Sequence, residues 1–486
     1  MEKLVKKYTS LPIQIKATFW FLVCSFLQKG ISVITTPIFT RLLSTAEYGQ
    51  FSVFNSWLSI TTVFVTFNIY LGMYTRGLVR YEDDRKVYSS TMQCLSLTLV
   101  MIWAVIYLIF HDPINRITSL TTVQMLAMLL MIWATAAFNF WAAEQRVLLK
   151  YKTLVVITVV ASLAKPLLGI LLVINSEDKV TARVLGLAVV ELFAYSWCFL
   201  VQVARGKKFF SKQYWKSTLA LNIPLIPHYL SMTVLNAADK IMIERMVGES
   251  EAGIYSLAYS LSMIMTMLNS ALMQTIEPWL YKKINCDRIK DISQLANPSF
   301  VLIAVANLAL IAFAPEAIFI FAPEEYHSAI YVIPPIAMSV FFTFSYTFFA
   351  VFEFYYKKTQ FIAIATTTGA ILNIVLNYIF IGLFGSFAAG YTTLACYMLY
   401  AAGHYWFMRK ICKEELNGIQ PYNIRTYLKI VAAFMGLGFA LLITYRNIWA
   451  RYGLILTLCI VGFIKRRWIA EQCRKILMTR KNQEAF

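Results

Sequence analysis

Five charged residues lie inside apolar stretches long enough to cross a bilayer, and they are the candidates for chemistry. Lys29, Lys165 and Lys240 are the cations, and Glu191 and Asp239 are the acidic residues. A charged side chain inside a membrane is costly, so it is retained mainly where it binds a substrate, carries an ion or pairs with another charge. A cavity lined by Lys29 and Lys240, with Lys165 as a third cation and Asp239 beside Lys240, would suit an anionic group.

Lys165 and Glu191 also allow a structural interpretation. They fall on consecutive antiparallel spans, about 13 and 10 Å from the outer ends at 1.5 Å per residue. At these depths they can neutralise each other as an ion pair, and the alternative is a role in binding substrate or a coupling ion. Asp239 has the same two alternatives. Three further acidic residues near span ends are expected to be solvated or interfacial: Asp112, Glu277 and Glu353.

The elements that position these charges are predicted to be membrane helices. Of 486 residues, 59% are hydrophobic and 14% charged, and the mean hydropathy is +0.63, whereas a soluble chain has roughly a quarter of its residues charged. Apolar windows predict an all-α polytopic membrane protein of about fourteen transmembrane helices. The predicted spans are 16–40, 51–73, 90–110, 122–143, 153–174, 184–204, 220–245, 253–280, 299–321, 330–352, 361–381, 388–408, 430–445 and a shorter one, 452–464.

The basic residues indicate the orientation of these spans. The chain has 44 Lys and Arg against 25 Asp and Glu, a net charge of +19. With a cytoplasmic N-terminus, 34 of the 44 fall in the tails and inner connections and only seven in the outer connections, so the positive-inside rule predicts that both termini are cytoplasmic. The basic tail from Lys465 to Lys481 is expected to lie on anionic membrane lipids. Because the cations are dispersed among short loops, nucleic acid is not an expected partner.

Several classes of protein are disfavoured by what the sequence lacks. No outer connection exceeds about ten residues, which leaves no room for the external catalytic domain expected of a membrane glycosyltransferase or polysaccharide polymerase. A P-loop motif for nucleotide hydrolysis is absent. The four histidines and eight cysteines show neither metal-ligand spacing nor an external disulfide pattern. We therefore expect a transporter without a metal or cofactor, in preference to an enzyme or an inert membrane scaffold.

An internal repeat divides the chain. Residues 41–57 align without a gap on 245–261, at an offset of 204, with Arg, Glu, Gly and two Ser in common. An even number of spans per repeat makes the two halves parallel. The sequence thus predicts a six-helix lobe over 1–204, a basic cytoplasmic loop over 205–219, a second six-helix lobe over 220–408, and a final segment over 409–486 with two helices and a basic tail.

The second helix of each predicted lobe has a polar stripe, and the repeat relates the two. Residues at helical spacing share one face of each helix, and small polar residues also permit close helix packing. Two packed lobes around a polar cavity are the usual architecture for alternating access. The stripes are Asn55, Ser59, Thr62 and Thr66 in the first lobe, and Tyr259, Ser262, Thr266 and Asn269 in the second.

Three segments carry a resemblance to a known family: 37–57 (PIFTRLLSTAEYGQFSVFNSW), 222–243 (NIPLIPHYLSMTVLNAADKIMI) and 252–262 (AGIYSLAYSLS). They resemble Wzx-type flippases for polysaccharide or O-antigen repeat units, which belong to the MOP superfamily together with the MATE exporters. The resemblance implies a MATE-like fold of two six-helix lobes around a cavity. It transfers no functional residue, because cavity charges differ widely among members.

The resemblance also implies a function. Such a protein would move an undecaprenyl-pyrophosphate-linked oligosaccharide across a bacterial cytoplasmic (inner) membrane, for lipopolysaccharide or capsule biosynthesis. Its partners would be that substrate, membrane lipids and other polysaccharide assembly proteins. The alternative is an ion-coupled MATE-like exporter of cationic drugs. Such an exporter is expected to have an acidic cavity, and the three deep lysines favour the flippase.

Overall fold

Helices form the regular secondary structure in the part of the chain that the computed structural model describes, residues 12–71, 73–464 and 466–467. The predicted basic tail lies outside these residues apart from Arg466 and Arg467. The helices are α1 Ile13–Leu42, α2 Thr45–Thr66, α3 Met73–Arg80, α4 Arg85–Ile109, α5 His111–Thr118, α6 Thr122–Val147, α7 Tyr151–Ile174, α8 Lys179–Gly206, α9 Lys212–Asn222, α10 Ile226–Met246, α11 Glu249–Ser262, α12 Ile264–Asn285, α13 Ile292–Ala312, α14 Ala314–Phe321, α15 Ile333–Tyr355, α16 Thr359–Phe384, α17 Ala388–Glu415, α18 Ile424–Ile443 and α19 Ile448–Ile464. Short 3₁₀ turns cover Ile223–Leu225, Ile289–Asp291, Glu324–Tyr331 and Thr444–Arg446.

A helix occupies each of the fourteen predicted span positions. Eleven helical segments are long and apolar enough to cross a membrane. The other three positions are α2 and α17, which are 22 and 28 residues long but more polar, and α19, which has 17 residues. Large apolar side chains such as Phe193 are exposed on the outside of these helices, as expected where lipid is the solvent. The prediction of an all-α polytopic membrane protein is confirmed.

The chain forms two compact units, Met1–Ile241 and Met242–Phe486. The boundary falls within α10, whereas the sequence places the division at the predicted loop 205–219. Part of that segment is helical, because α9 begins at Lys212. The lobe limits inferred from the repeat stay a prediction.

Local sequence signals fix where the helices of the first unit begin. Ser44 and Glu47 form a capping box at the start of α2, in which each side chain accepts a hydrogen bond from the backbone N–H of the other residue. Thr121 and Gln124 form the same arrangement at the start of α6. Each box satisfies two backbone donors that the first helical turn leaves open. The entry of α2, which carries the first polar stripe, is therefore defined locally.

Close packing brings α7 and α8 together in the first unit. A Cβ placed on Gly186 of α8 would lie 2.9 Å from the Cα of Gly169 on α7. Only glycine permits this approach, as at small-residue contacts between membrane helices generally. The guanidinium of Arg183, one turn earlier on α8, lies 3.8 Å from the ring centroid of Phe39 and 3.6 Å from that of Phe51. These cation–π contacts attach α8 to α1 and α2.

The core of the second unit is largely aromatic. Phe341, Phe344 and Phe348 project from α15 and are fully buried. Phe300 of α13 packs against all three, and Phe434 of α18 packs on Phe341 with ring centroids 4.7 Å apart. These contacts hold α15 at the centre of the unit, between α13 and α18.

Candidate functional site

A polar cavity of about 350 Å³ lies in the first unit. Two helices line it, α2 and the part of α10 that belongs to this unit. The lining residues are Asn55, Ser56 and Ser59 from α2, and Met232, Thr233, Asn236, Ala237 and Lys240 from α10. Six of these eight side chains are polar, in a chain whose residues are 59% hydrophobic. Asn55 and Ser59 belong to the stripe predicted from the sequence.

The cavity walls present hydrogen-bond acceptors. The Asn55 amide donates to the carbonyl of Phe51 at 2.9 Å, and the Ser59 hydroxyl donates to the carbonyl of Asn55 at 2.9 Å. On α10 the Asn236 amide donates to the Met232 carbonyl at 2.7 Å, and the Thr233 hydroxyl to the Tyr229 carbonyl at 2.9 Å. At Asn55, Ser59 and Thr233 each bond uses a donor, and the amide or hydroxyl oxygen keeps lone pairs that can accept. Such a surface suits a ligand rich in hydroxyl donors.

Lys240 supplies the positive charge in this lining. Its ammonium is a strong donor to a phosphate or carboxylate. Asp239 precedes it on α10, but a helix turns by about 100° per residue, and Asp239 is not among the lining residues. Its side chain is buried, with 1% exposed. Lys240 lines the cavity and Asp239 does not, and the roles of both residues stay predictions.

Lys29 was expected to line a cavity together with Lys240, and it does not line the 350 Å³ cavity. It lies near the middle of α1, where its side chain is exposed. Thr233, which the repeat offset relates to Lys29, does line that cavity. A direct contribution of Lys29 to substrate binding therefore remains a prediction from its depth in the helix.

Lys165 and Glu191 are in contact. The Lys165 ammonium lies 2.6 Å from Oε1 of Glu191, and the Thr135 hydroxyl of α6 donates to Oε2 at 3.0 Å. The Lys165 ammonium also lies 5.3 Å from the centroid of the Tyr195 ring. Neither charged residue lines the 350 Å³ cavity. The geometry is that of the structural alternative, in which Lys165 and Glu191 neutralise each other and join α6, α7 and α8.

The expectation that Glu353 is solvated at a span end is wrong, because its side chain is buried. Glu353 on α15 and His404 on α17 are both 0% exposed, and Oε1 of Glu353 lies 2.7 Å from Nδ1 of His404. The predicted span ends at Phe352, whereas α15 continues to Tyr355. Asp112, by contrast, is 74% exposed beside His111, as expected. The sequence feature that could have indicated this buried pair is His404, which falls within the predicted twelfth span.

Comparison with known proteins identifies the family. The model of the family described as "Polysaccharide biosynthesis protein" matches residues 15–283, and the MatE model matches residues 224–379. "Lsg locus putative protein 1" of Haemophilus influenzae is 21% identical over 373 residues, which cover 72% of this chain and 87% of the relative. An "Uncharacterized membrane protein" of the same organism is 19% identical over 364 residues, 71% of this chain and 85% of its own.

Solved structures share the fold. "Lipid II flippase MurJ" in an inward closed conformation has a TM-score of 0.67 at 12% identity, over 92% of this chain and 99% of its own. An inward-facing "multidrug resistance MATE family transporter of the MOP superfamily" has a TM-score of 0.59 at 16% identity, over 79% and 95%. At these identities the likeness concerns the fold, and it confirms the predicted MATE-like architecture. Together with the family match it also confirms the resemblance seen in the sequence, and the chain belongs to the polysaccharide biosynthesis protein family.

Proposed function

We propose that this protein is a lipid-linked oligosaccharide flippase of the bacterial cytoplasmic membrane. It moves undecaprenyl-pyrophosphate-linked sugar repeat units from the inner to the outer leaflet by alternating access. The observation that carries the proposal is the 350 Å³ cavity, whose walls combine amide and hydroxyl acceptors with the ammonium of Lys240. Membership of a polysaccharide biosynthesis family supports the same substrate class.

The chemistry of the cavity matches the two polar parts of such a substrate. Sugar hydroxyls donate to the oxygens of Asn55, Ser59 and Thr233, and the anionic pyrophosphate meets Lys240. The apolar polyprenyl chain stays in the lipid bilayer and does not have to enter the polar cavity. The protein itself forms and breaks no covalent bond in this cycle, and it acts as a transporter without a cofactor. Membrane lipids and other polysaccharide assembly proteins are its further proposed partners.

The second candidate is an ion-coupled exporter of cationic drugs, in keeping with the MATE-like fold. A cation needs an acidic or aromatic binding surface. The charged residue among those that line the cavity is a lysine, and the remaining polar ones are amides and hydroxyls. The cavity therefore favours the flippase.

Complementation separates the two candidates. In a bacterial host deleted for its own repeat-unit flippase, we expect this gene to restore surface polymer and relieve the build-up of lipid-linked repeat units. The same cells should show unchanged susceptibility to cationic drugs. The host must make a repeat unit that the protein accepts, so a panel of hosts with different sugars is used. Drug resistance without polymer in every host would replace the flippase with the exporter.

The orientation of the chain is a separate part of the proposal. We expect both termini in the cytoplasm, because 34 Lys and Arg fall on the inner side against seven outside in that arrangement. Reporter fusions test it: alkaline phosphatase joined after Phe486 should be inactive, and a fusion in the connection between α18 and α19 should be active. An active phosphatase after Phe486 would overturn the fourteen-span arrangement, and α19 would be the helix that fails to cross.

A further inference from the structure

Glu353 and His404 form a fully buried acid–base pair in the described part of the second unit. Both side chains are 0% exposed, and one contact joins Oε1 to Nδ1 at 2.7 Å. Oε2 of Glu353 and Nε2 of His404 have no hydrogen-bond partner among the described residues. The imidazole packs against two tyrosine rings, that of Tyr346 at 5.3 Å and that of Tyr400 at 4.4 Å between centroids.

Counting protons shows what this geometry favours. The short contact needs one proton between Nδ1 and Oε1, whichever atom carries it. With that proton alone, the pair has a net charge of −1 and two bare acceptors, Oε2 and Nε2. One more proton, on Nε2 or on Oε2, makes the pair neutral overall. Because a net charge is expensive to bury, the closed site favours the state with the second proton.

Several charges on the neighbouring elements already have partners of their own, so they do not replace that proton. On α12, Glu277 accepts from Tyr281 at 2.9 Å, and Lys283 lies 2.9 Å from Asp291. Arg288 also pairs with Asp291, at 2.6 Å. Lys358 precedes α16, and its hydrogen bonds to Glu415 and Glu414 raise its pKa.

The cations of α17 and α18 on the elements packed around the pair are exposed: Arg409, Lys410, Lys413, Arg425 and Lys429. The remaining groups are tyrosines and three glutamates. Tyr346 and Tyr400 contact the imidazole, and Tyr427 of α18 packs on Phe341 and Phe349 of α15. Glu251 of α11 is bonded to the Ser386 hydroxyl. Glu324 and Glu325 belong to the 3₁₀ turn that precedes α15, and so lie at its opposite end.

The first unit contains a related site with different chemistry. Glu144 stands three residues before the end of α6, as Glu353 stands two before the end of α15. These are the fourth helices of the two predicted repeats. Each carboxyl is bonded to a residue on the sixth helix of its repeat: the Gln202 amide donates to Oε2 of Glu144 at 2.6 Å, where the second unit has His404. A carboxamide does not ionise, so the imidazole is specific to the second unit.

We propose that Glu353 and His404 together form a proton-binding site, which holds one exchangeable proton while the site is closed to water. The proton enters from water on one side of the membrane and returns to water when a change of conformation opens the site. A step of this kind couples the proton gradient to transport. The coupling rests on the proposed function, but the binding of the proton does not.

Nitrogen NMR of the imidazoles tests the binding step without any substrate. The full-length chain is labelled at histidine and reconstituted in lipid nanodiscs, and its four histidines are followed with pH. We expect one imidazole signal that changes protonation with pH and is missing in His404→Gln. In Glu353→Gln the midpoint of that change should move down by at least one pH unit, a tenfold loss of proton affinity, because the carboxylate that stabilises the imidazolium is gone.

Two outcomes would overturn the site. His404 nitrogen shifts that stay constant over the pH range in which the protein remains folded would make the contact purely structural. A midpoint unchanged in Glu353→Gln would show that the two groups do not act as a unit. His404→Gln copies the Glu144 and Gln202 arrangement, so we expect it to fold. If it does not accumulate, substitution of His111, His228 and His327 assigns the His404 signal by elimination.

The coupling step has its own readout in the flippase-deleted host. Wild-type polymer display should fall when an uncoupler collapses the proton gradient, and His404→Gln should respond at least fivefold less at the same dose. Equal responses of the two proteins would overturn the coupling. A wild-type protein that displays no polymer in any host counts against the proposed function instead, and leaves the NMR result to decide the proton site.

Discussion

Replacing Glu191 with alanine is expected to destabilise the protein by roughly 3 kcal/mol or more, because it strands the Lys165 ammonium in a medium of low dielectric. Lys165→Ala should have a similar effect on Glu191, which is 6% exposed. The double variant should cost less than either single one, since it leaves no uncompensated charge. This pattern follows from the 2.6 Å contact and from the limited exposure of both side chains.

A double-mutant cycle on purified protein measures the coupling between the two residues. The readouts are the level of each variant in the membrane and its thermal stability in one detergent. Glu82→Ala is the matched control: Glu82 lies 3.0 Å from Arg85 but is 75% exposed, and a surface pair of this kind contributes at most about 1 kcal/mol. Strictly additive effects at Lys165 and Glu191 would refute the structural pairing and move both residues toward a substrate or coupling site.

The contact between Lys165 and Glu191 could be predicted because the sequence shows that they lie on consecutive spans and at similar depths. Consecutive spans are antiparallel and usually adjacent, and a rise of 1.5 Å per residue converts position into depth. The close approach at Gly169 and Gly186 then brings the side chains within reach. Residues on neighbouring hairpin helices can thus be paired from depth alone.

Glu353 and His404 could not be found in this way. They lie on α15 and α17, which are not consecutive, and hydropathy does not show which of the non-consecutive helices pack together. The predicted span ends at Phe352 and α15 runs to Tyr355, so the sequence places Glu353 at a span end, where a solvated side chain is expected. Such errors are normal for helix ends read from a sequence.

The cavity was anticipated in part. The spacing of Asn55 and Ser59 on one helical face predicted a polar stripe on α2, and both residues line the cavity. The repeat-related placement of Lys240 on a polar-faced helix makes it a candidate, and it lines the same cavity. Lys29 is a candidate because of its depth, but it is exposed on α1 and does not line this cavity. Depth in a helix indicates how costly a charge is, but it does not indicate which way the side chain points.

Lys240 gives the second large expected effect. Lys240→Ala should lower polymer display about tenfold or more in the flippase-deleted host, since a hydrogen bond to a charged group contributes about 1.5–3 kcal/mol. Lys240→Glu should abolish display, because a carboxylate in the cavity repels the pyrophosphate. Lys240→Arg should retain more activity than Lys240→Ala, as either cation can meet a phosphate, although their geometries differ.

A normalisation and a control variant separate a loss of substrate binding from a loss of protein in the Lys240 variants. Display is normalised to protein in the membrane, and Lys240→Ala should insert as well as or better than wild type, because an intramembrane charge opposes insertion. Lys216→Ala is the matched control, since it removes a lysine from α9 that does not line the 350 Å³ cavity. Lys29→Ala in the same assay decides whether the exposed cation of α1 also meets the substrate. Wild-type display by both Lys240→Ala and Lys240→Glu would show that the cavity does not bind the anionic head group, because no phosphate contact tolerates reversal of its partner's charge.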